Sequence, residues 1–368
     1  MINEQRGKTD TLLQMRIRYI STLTALALVL TACGGGVAIQ SATTAVQSTT
    51  PDALRLSYTL ESGTTFEYEV GIDQQIDMSA TGDASAMGDE EIPGDASIHL
   101  TGTTTFSHSV AEGPKPDTYE ITIKGDFSDL QITGTIDGEP IGQTDLPDFA
   151  ELEPIDVTIV VDDQGNIIPD DDVFDDAFGG GLGGFGDLLA APGMDPGRFV
   201  GPPFPDRPVT VGDSWSETIE SPVFMGGDAI VTQIDNEVTA TDTIDGHVVL
   251  VIETTSTTSM IEFDLAEFFV GFFQAFIPDN ATDEEKAEID AIAEGFRFLF
   301  IIDETVSDMT TWFDAEAGYA RRAEFSMSTS IVIDINMPDD ETGEMVTFGM
   351  EMNIAQDVTY RLIDPAGA

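Results

Sequence analysis

The sequence predicts a mainly β protein built from curved antiparallel sheet, as one large body or two similar halves, with an inserted helical hairpin near residues 264–298. Three observations carry that expectation. Short runs of alternating apolar and polar residues recur from Leu54 onward, and a period of two marks strands with one buried face. Asp-Gly and other Gly- or Pro-containing turns punctuate those runs. The 368 residues are 41% apolar, enough for a real core despite 68 acidic against 14 basic residues and a net charge of -54. A chain so negative repels phosphate backbones, which excludes nucleic acid as a partner.

The amino end has a different character. Arg16 and Arg18 precede an uncharged, mostly apolar run from Tyr19 to Leu30, too short to cross a bilayer as a helix and suited to the apolar region of an export signal. Ile17 separates the two arginines, so the adjacent pair of a twin-arginine signal is missing and export in the unfolded state is expected. Leu30-Thr31-Ala32-Cys33 follows and resembles the lipobox of bacterial lipoproteins. That resemblance implies that residues 1–32 are removed, that Cys33 becomes the first residue, and that it carries fatty-acyl chains such as palmitate as a membrane anchor. The segment from Met1 contains Glu4 and Asp10, whereas Met15 opens a compact Met-Arg-Ile-Arg, so Met15 competes with Met1 as the start. Residues 1–32 hold four basic and two acidic residues, so the mature chain would carry about -56. Residues 33–53 are rich in Gly, Ser, Thr, Ala and Gln without periodicity and read as a flexible tether of roughly 25 Å root-mean-square reach.

The body, residues 54–363, reads as strands and turns. Phe66, Tyr68 and Val70 share one face opposite Glu67 and Glu69; Tyr119, Ile121 and Ile123 oppose Glu120, Thr122 and Lys124. Asp137-Gly138 and Asp245-Gly246 supply the positive φ of tight hairpins. Near the carboxyl end, Phe325 to Met337 keep odd register and Val346 to Ile354 keep even register across a polar turn from Pro338 to Gly343. A slip of one residue would turn either face to water, so this hairpin is well specified. The two halves would be 54–177 and 205–363, joined by a Gly/Pro-rich connector, 178–204. Ser62-Gly63 leading to Phe66 matches Val211-Gly212-Asp213-Ser214-Trp215, and Val161-Asp162-Asp163-Gln164-Gly165 matches Phe313-Asp314-Ala315-Glu316-Ala317-Gly318.

Leu265, Phe268, Phe269, Phe272, Phe273 and Phe276 recur at helical period; Pro278 breaks the run, and Thr282-Asp283-Glu284-Glu285 forms a capping box that opens a second helix. The five phenylalanines must meet a sheet face, a membrane or an apolar ligand. With Met350 and Met352 they are the candidate lining of an apolar cavity, beside Met327 and Met337.

The segment Phe204-Pro205-Asp206-Arg207-Pro208-Val209-Thr210-Val211-Gly212-Asp213-Ser214-Trp215, with the strand opening at Gly63 to Tyr68, resembles a domain family of bacterial secreted proteins and lipoproteins that has no assigned function. The resemblance implies a β-rich extracytoplasmic domain over residues 54–363 and supplies no catalytic residues. On the residues alone, Gly212 to Trp215 is a turn leading into a strand whose indole seals the core.

Catalytic motifs are absent from the sequence. One cysteine forms no internal disulfide, and His99, His108 and His247 read as partly exposed strand residues outside any nucleophile or zinc motif. Carboxylates are too numerous for any pair to be singled out for glycoside chemistry. Asp170, Asp171 and Asp172 are weak calcium candidates without EF-hand spacing; no other cofactor is implied. The expectation is a lipid-anchored, non-enzymatic binding or structural module on the extracytoplasmic face of the cell membrane or outer membrane. A carrier of an apolar ligand or lipid and a hydrolase of envelope polymers are the alternatives.

Overall fold

The computed structural model describes residues 44–45, 53–58, 60–82, 95–125, 129–141, 155–164, 168, 204–221, 230–264, 297–338 and 345–363. Its strands are β1 (Thr44–Ala45), β2 (Thr65–Gly82), β3 (Asp95–Glu112), β4 (Thr118–Gly125), β5 (Gln131–Ile136), β6 (Glu139–Pro140), β7 (Ile155–Asp162) and β8 (Ser214–Ser221). There follow β9 (Ile230–Ile244), β10 (His247–Thr258), β11 (Ile261–Asp264), β12 (Arg297–Ile302), β13 (Thr305–Asp314), β14 (Tyr319–Pro338) and β15 (Met345–Ile363). All pair antiparallel in one sheet, whose main path is β1-β8-β9-β10-β13-β14-β15-β2-β3-β4-β7; β5 and β6 continue from β3, and β11 and β12 from β14. The chain is therefore mainly β, as its alternation requires.

The hairpins form where turn chemistry places them. Asp137 and Gly138 have φ of 52° and 80°, Asp245 and Gly246 of 50° and 86°, and their strands pair directly across the two residues. Positive φ at both central positions is the geometry whose twist matches right-handed strands. The long carboxyl-terminal hairpin has the register its periodicity requires: Ile331 faces Met352, Ile333 faces Met350, Ile335 faces Phe348.

The sheet curls. Val161 of β7 and Trp215 of β8, near opposite ends of the strand order, belong to one buried cluster that includes Val70, Ile121, Ile252, Phe313 and Val358. Two short segments bridge the gap. Leu54 and Val209 exchange backbone hydrogen bonds of 2.8 Å, Tyr58 N–H donates to Asp163 O (2.8 Å), and Phe204 N–H donates to Gln164 O (3.0 Å).

Both four-strand runs, β2-β3-β4-β7 and β8-β9-β10-β13, open alike. Gly63 (φ 89°) donates to Val110 O while Val110 donates to Thr64 O; Gly212 (φ 90°) donates to Val238 O while Val238 donates to Asp213 O. They also end alike, since Asp162 Oδ1 accepts from the Gln164 N–H and Asp314 Oδ1 from the Glu316 N–H.

Two expectations change at the edges. Thr44 and Ala45, within the expected tether, instead form β1 against Ser216 and Trp215, since the edge of β8 offers unpaired backbone groups that a passing chain satisfies. The boundaries drawn for the helical hairpin, 264 and 298, fall inside β11 and β12, which pair from Ile261↔Ile302 to Asp264↔Leu299. The hairpin's interior, residues 265–296, lies outside the described residues, as do Cys33 and most of the connector.

Gly246→Ala tests the turn. A Cβ there meets nothing within 4 Å, so the cost is purely conformational. The expected loss is about 1 kcal/mol, seen as a lower urea midpoint at unchanged slope.

Candidate functional site

The inward face of the curled sheet divides into three zones along the strands. The first is a sealed end. Tyr58 stacks on Phe204 with centroids 4.8 Å apart, and Phe313 meets Tyr58 at 5.5 Å and Phe204 at 4.6 Å. These three rings come from three distant parts of the chain and close the end of the interior. Beside them Arg321 Nε donates to Asp314 Oδ2 at 2.8 Å, with both side chains buried. Burial alone would raise the Asp314 pKa; donation from the Ala317 N–H, the Arg321 hydrogen bond and charge, and the Glu316 N–H outweigh it, so the net direction is down. Exposed His247 lies 3.3 Å from the same carboxylate through Nδ1.

His108 departs from its expected exposure. It occupies an even position of β3, on the face shared with Val110 and Leu100, and packs on Tyr68 at 4.9 Å. Burial pushes its pKa down to about 4, so the ring is neutral at pH 7. His99 and His247 are partly exposed as expected, and His99 Nε2 lies 2.7 Å from Asp73. The motif from Phe204 to Trp215 is architectural. Arg207 donates to Ser214 O (2.8 Å) and pairs with Asp213 (3.6 Å), Asp213 Oδ2 accepts from the Thr210 N–H (2.7 Å), and Trp215 is buried in the core.

The second zone is a polar belt. An inward-facing row of cross-strand neighbours runs from Glu217 on β8 through Ile234, Ser256, Ser307 and Met327 on β9, β10, β13 and β14 to Gln356 and Gln74 on β15 and β2, so its polar members are interrupted by two apolar ones. On the sealed side, Thr254 donates to Asn236 Oδ1 at 2.7 Å. On the other side Thr232 and Thr258 share a hydrogen bond of 3.0 Å and Thr305 and Thr329 one of 2.7 Å. Three buried polar atoms in this belt find no partner among the described residues, Gln74 Nε2, Gln356 Oε1 and Asn236 Nδ2, and a fourth, Thr311 Oγ1, lies opposite Ile252 in the sealed zone. The exposures are 1% for Gln74, 6% for Gln356, 1% for Asn236 and 0% for Thr311, so bulk water does not satisfy them.

The third zone is apolar. Ile76, Ile98, Ile331, Met352 and Ile354, with Phe300 and Ile302 of β12, form a cluster separate from the sealed end, and Met78, Ile333 and Met350 pack against it. Of the expected apolar lining, Met350 and Met352 stand here on one face of β15, while Met327 is buried directly opposite Gln356, within the polar row. The other expected lining residues, Phe268, Phe269, Phe272, Phe273 and Phe276, lie outside the described residues, as do Asp170, Asp171 and Asp172. Sequence reasoning missed the belt. Its signal was the interruption of otherwise apolar even positions by Gln74 in β2 and Gln356 in β15.

A separate cleft of about 280 Å³ lies where the end of β2 and the start of β3 meet β5 and the middle of β15, lined by Asp77, Asp95, Ser97, Thr135 and Asn353. No group of three or more metal-binding side chains occurs among the described residues.

Asp314→Ala would strand Arg321 as a buried unpaired cation, and a loss of about 3 kcal/mol or more is expected in urea unfolding at pH 7. For His108 the unfolded ring takes a proton near pH 6.5 and the folded one near 4, so the unfolded state binds more protons between them. Its contribution is complete above pH 6.5 and falls away as the pH drops toward 4, by about 3 kcal/mol at most. The stability of the parent relative to His108→Gln should therefore shrink steadily from pH 7 to pH 4.

No protein-family model and no curated protein matches the chain. Among solved structures, an outer membrane channel from Pseudomonas putida F1 aligns with 7% identity and a TM-score of 0.17 over 86% of this chain and 100% of that one. Pseudomonas aeruginosa OccK5 (OpdH) aligns with 7% identity and a TM-score of 0.20 over 80% of this chain and 98% of that one. Scores of this size carry no argument about fold or activity.

Proposed function

We propose that the chain is a bacterial lipoprotein, exported, acylated at Cys33 and held on the extracytoplasmic face of the envelope, whose curled sheet carries an apolar or amphipathic ligand. Its body belongs with the secreted and lipoprotein domains that the segments Gly63–Tyr68 and Phe204–Trp215 resemble, and the matching openings of its two four-strand runs favour descent from two similar halves. The single observation that carries the ligand reading is the buried polar belt between two separate apolar clusters. An interior designed only for stability would join the clusters with apolar side chains; instead the middle of the strands keeps the Gln74, Gln356 and Asn236 amides each with an atom unpaired among the described residues. The anchor rests on the apolar run from Tyr19 to Leu30 and on Leu30-Thr31-Ala32-Cys33. An anchored body would present its interior to molecules that leave or enter the adjacent leaflet.

Two measurements on protein from the native host test this. Cells fed labelled palmitate should label the parent and leave Cys33→Ala unlabelled; an unlabelled parent overturns the anchor. Native mass spectrometry of the Cys33→Ala protein should release a small-molecule mass from the folded chain, and a bare polypeptide mass overturns the carrier reading.

A further inference from the structure

Resting on the carrier reading, we propose that the ligand is an uncharged glycerolipid, its ester and hydroxyl groups held by the polar belt at Gln74 and Gln356 and its acyl chains lying along the isoleucine and methionine wall. The argument begins with the orphaned groups. Gln74 Nε2 and Asn236 Nδ2 are donors, Gln356 Oε1 is an acceptor, and the Thr311 hydroxyl is either. Gln74 and Gln356 are direct cross-strand neighbours, so a donor and an acceptor stand side by side without satisfying each other. A diacylglycerol head has the complementary set: two ester carbonyls that accept and one hydroxyl that donates. A buried group left unpaired costs about 1 to 3 kcal/mol, so a ligand that pairs these gains that stabilisation on binding.

Charge selects among heads. Among the described residues Arg321 is buried with its Nε committed to Asp314, and the half-buried Arg207 is paired with Asp213. Arg55, Lys115, Lys124, Arg297, Arg322 and Arg361 are exposed. A phosphodiester would thus enter a buried zone with no uncommitted counter-charge among the described residues, and an anionic lipid is disfavoured. The apolar wall begins one row beyond the glutamines, where Ile354 faces Ile76 and Met352 faces Met78. Head and chain therefore have adjoining places on the same strands.

The test uses the full chain carrying Cys33→Ala, incubated with phosphatidylcholine vesicles containing equal amounts of a diacylglycerol and of phosphatidylglycerol. The lipid recovered with the protein is identified by native mass spectrometry. Diacylglycerol should exceed phosphatidylglycerol at least tenfold. Replacing both orphaned amides in Gln74→Leu/Gln356→Leu should cut diacylglycerol recovery roughly tenfold and raise Tm, because two unsatisfied polar groups leave the core. A purely structural role would not produce that opposition of binding and stability. Gln74→Leu alone, which removes one orphaned amide, should show the same pair of effects on a smaller scale and remains readable if the double variant fails to fold. Equal or greater uptake of phosphatidylglycerol, or undiminished diacylglycerol binding by both variants, overturns the uncharged-head assignment while the carrier reading stands. Recovery of neither lipid, from the host or from vesicles, overturns the carrier reading itself.

Discussion

The contact on which the rest depends is the meeting of Tyr58, Phe204 and Phe313. An open antiparallel sheet has two edges and no inside. Here the segments before β2 and before β8 fold into the gap, and their rings close on a β13 side chain while their backbones bond to the turn after β7. Fully burying a large side chain is worth roughly 1.5 to 3 kcal/mol, and aromatic contact adds about a further 1 kcal/mol per pair. Holding the two ends of the sheet round one core is what gives the other inward-facing residues a common interior. The buried pair of Asp314 and Arg321 reinforces the same end, with the carboxylate also tying down the turn between β13 and β14.

Dense apolar packing and unpaired polar groups are thereby separated along the strands. The sealed end holds most of the buried aromatic rings, and Tyr68 there donates its hydroxyl to Ala320 O at 3.1 Å. Midway, the same strands switch to Gln, Asn, Ser and Thr at positions that face inward. Every orphaned amide there weakens the fold. The sealed end is large enough to bear that loss, because a marginally stable domain tolerates a few kcal/mol of strain only where its packing elsewhere is dense.

Much of this was legible in the sequence, for local reasons. The face shared by Phe66, Tyr68 and Val70, the two Asp-Gly hairpins and the opposite registers of β14 and β15 follow from period and turn chemistry, which act over a few residues. What stayed hidden is non-local. Nothing near Gln74 in sequence says that Gln356 stands beside it, and alternation alone does not show that the inward position of His108 would be sealed rather than wet. The Phe204 to Trp215 motif showed that the segment is special but not why; its residues turn out to fasten a turn through Arg207, Thr210 and Asp213. Pairing of Thr44 and Ala45 with β8 was hidden too, because strand addition at an edge uses backbone groups that every sequence possesses.

The pairing of β2 with β15 bears on how the molecule comes into being. The first long strand of the body lies along the last, from Glu67 against Ile363 to Gly82 against Phe348, so the centre of the sheet joins the two extremes of the body. Such contacts delay assembly, because the entropy of closing nearly the whole chain into a loop is lost before the ladder forms. A nascent polypeptide emerging amino end first holds β2 with one side unmatched until its final strand arrives. That schedule leaves the central β2–β15 ladder to form only after β15 has been made.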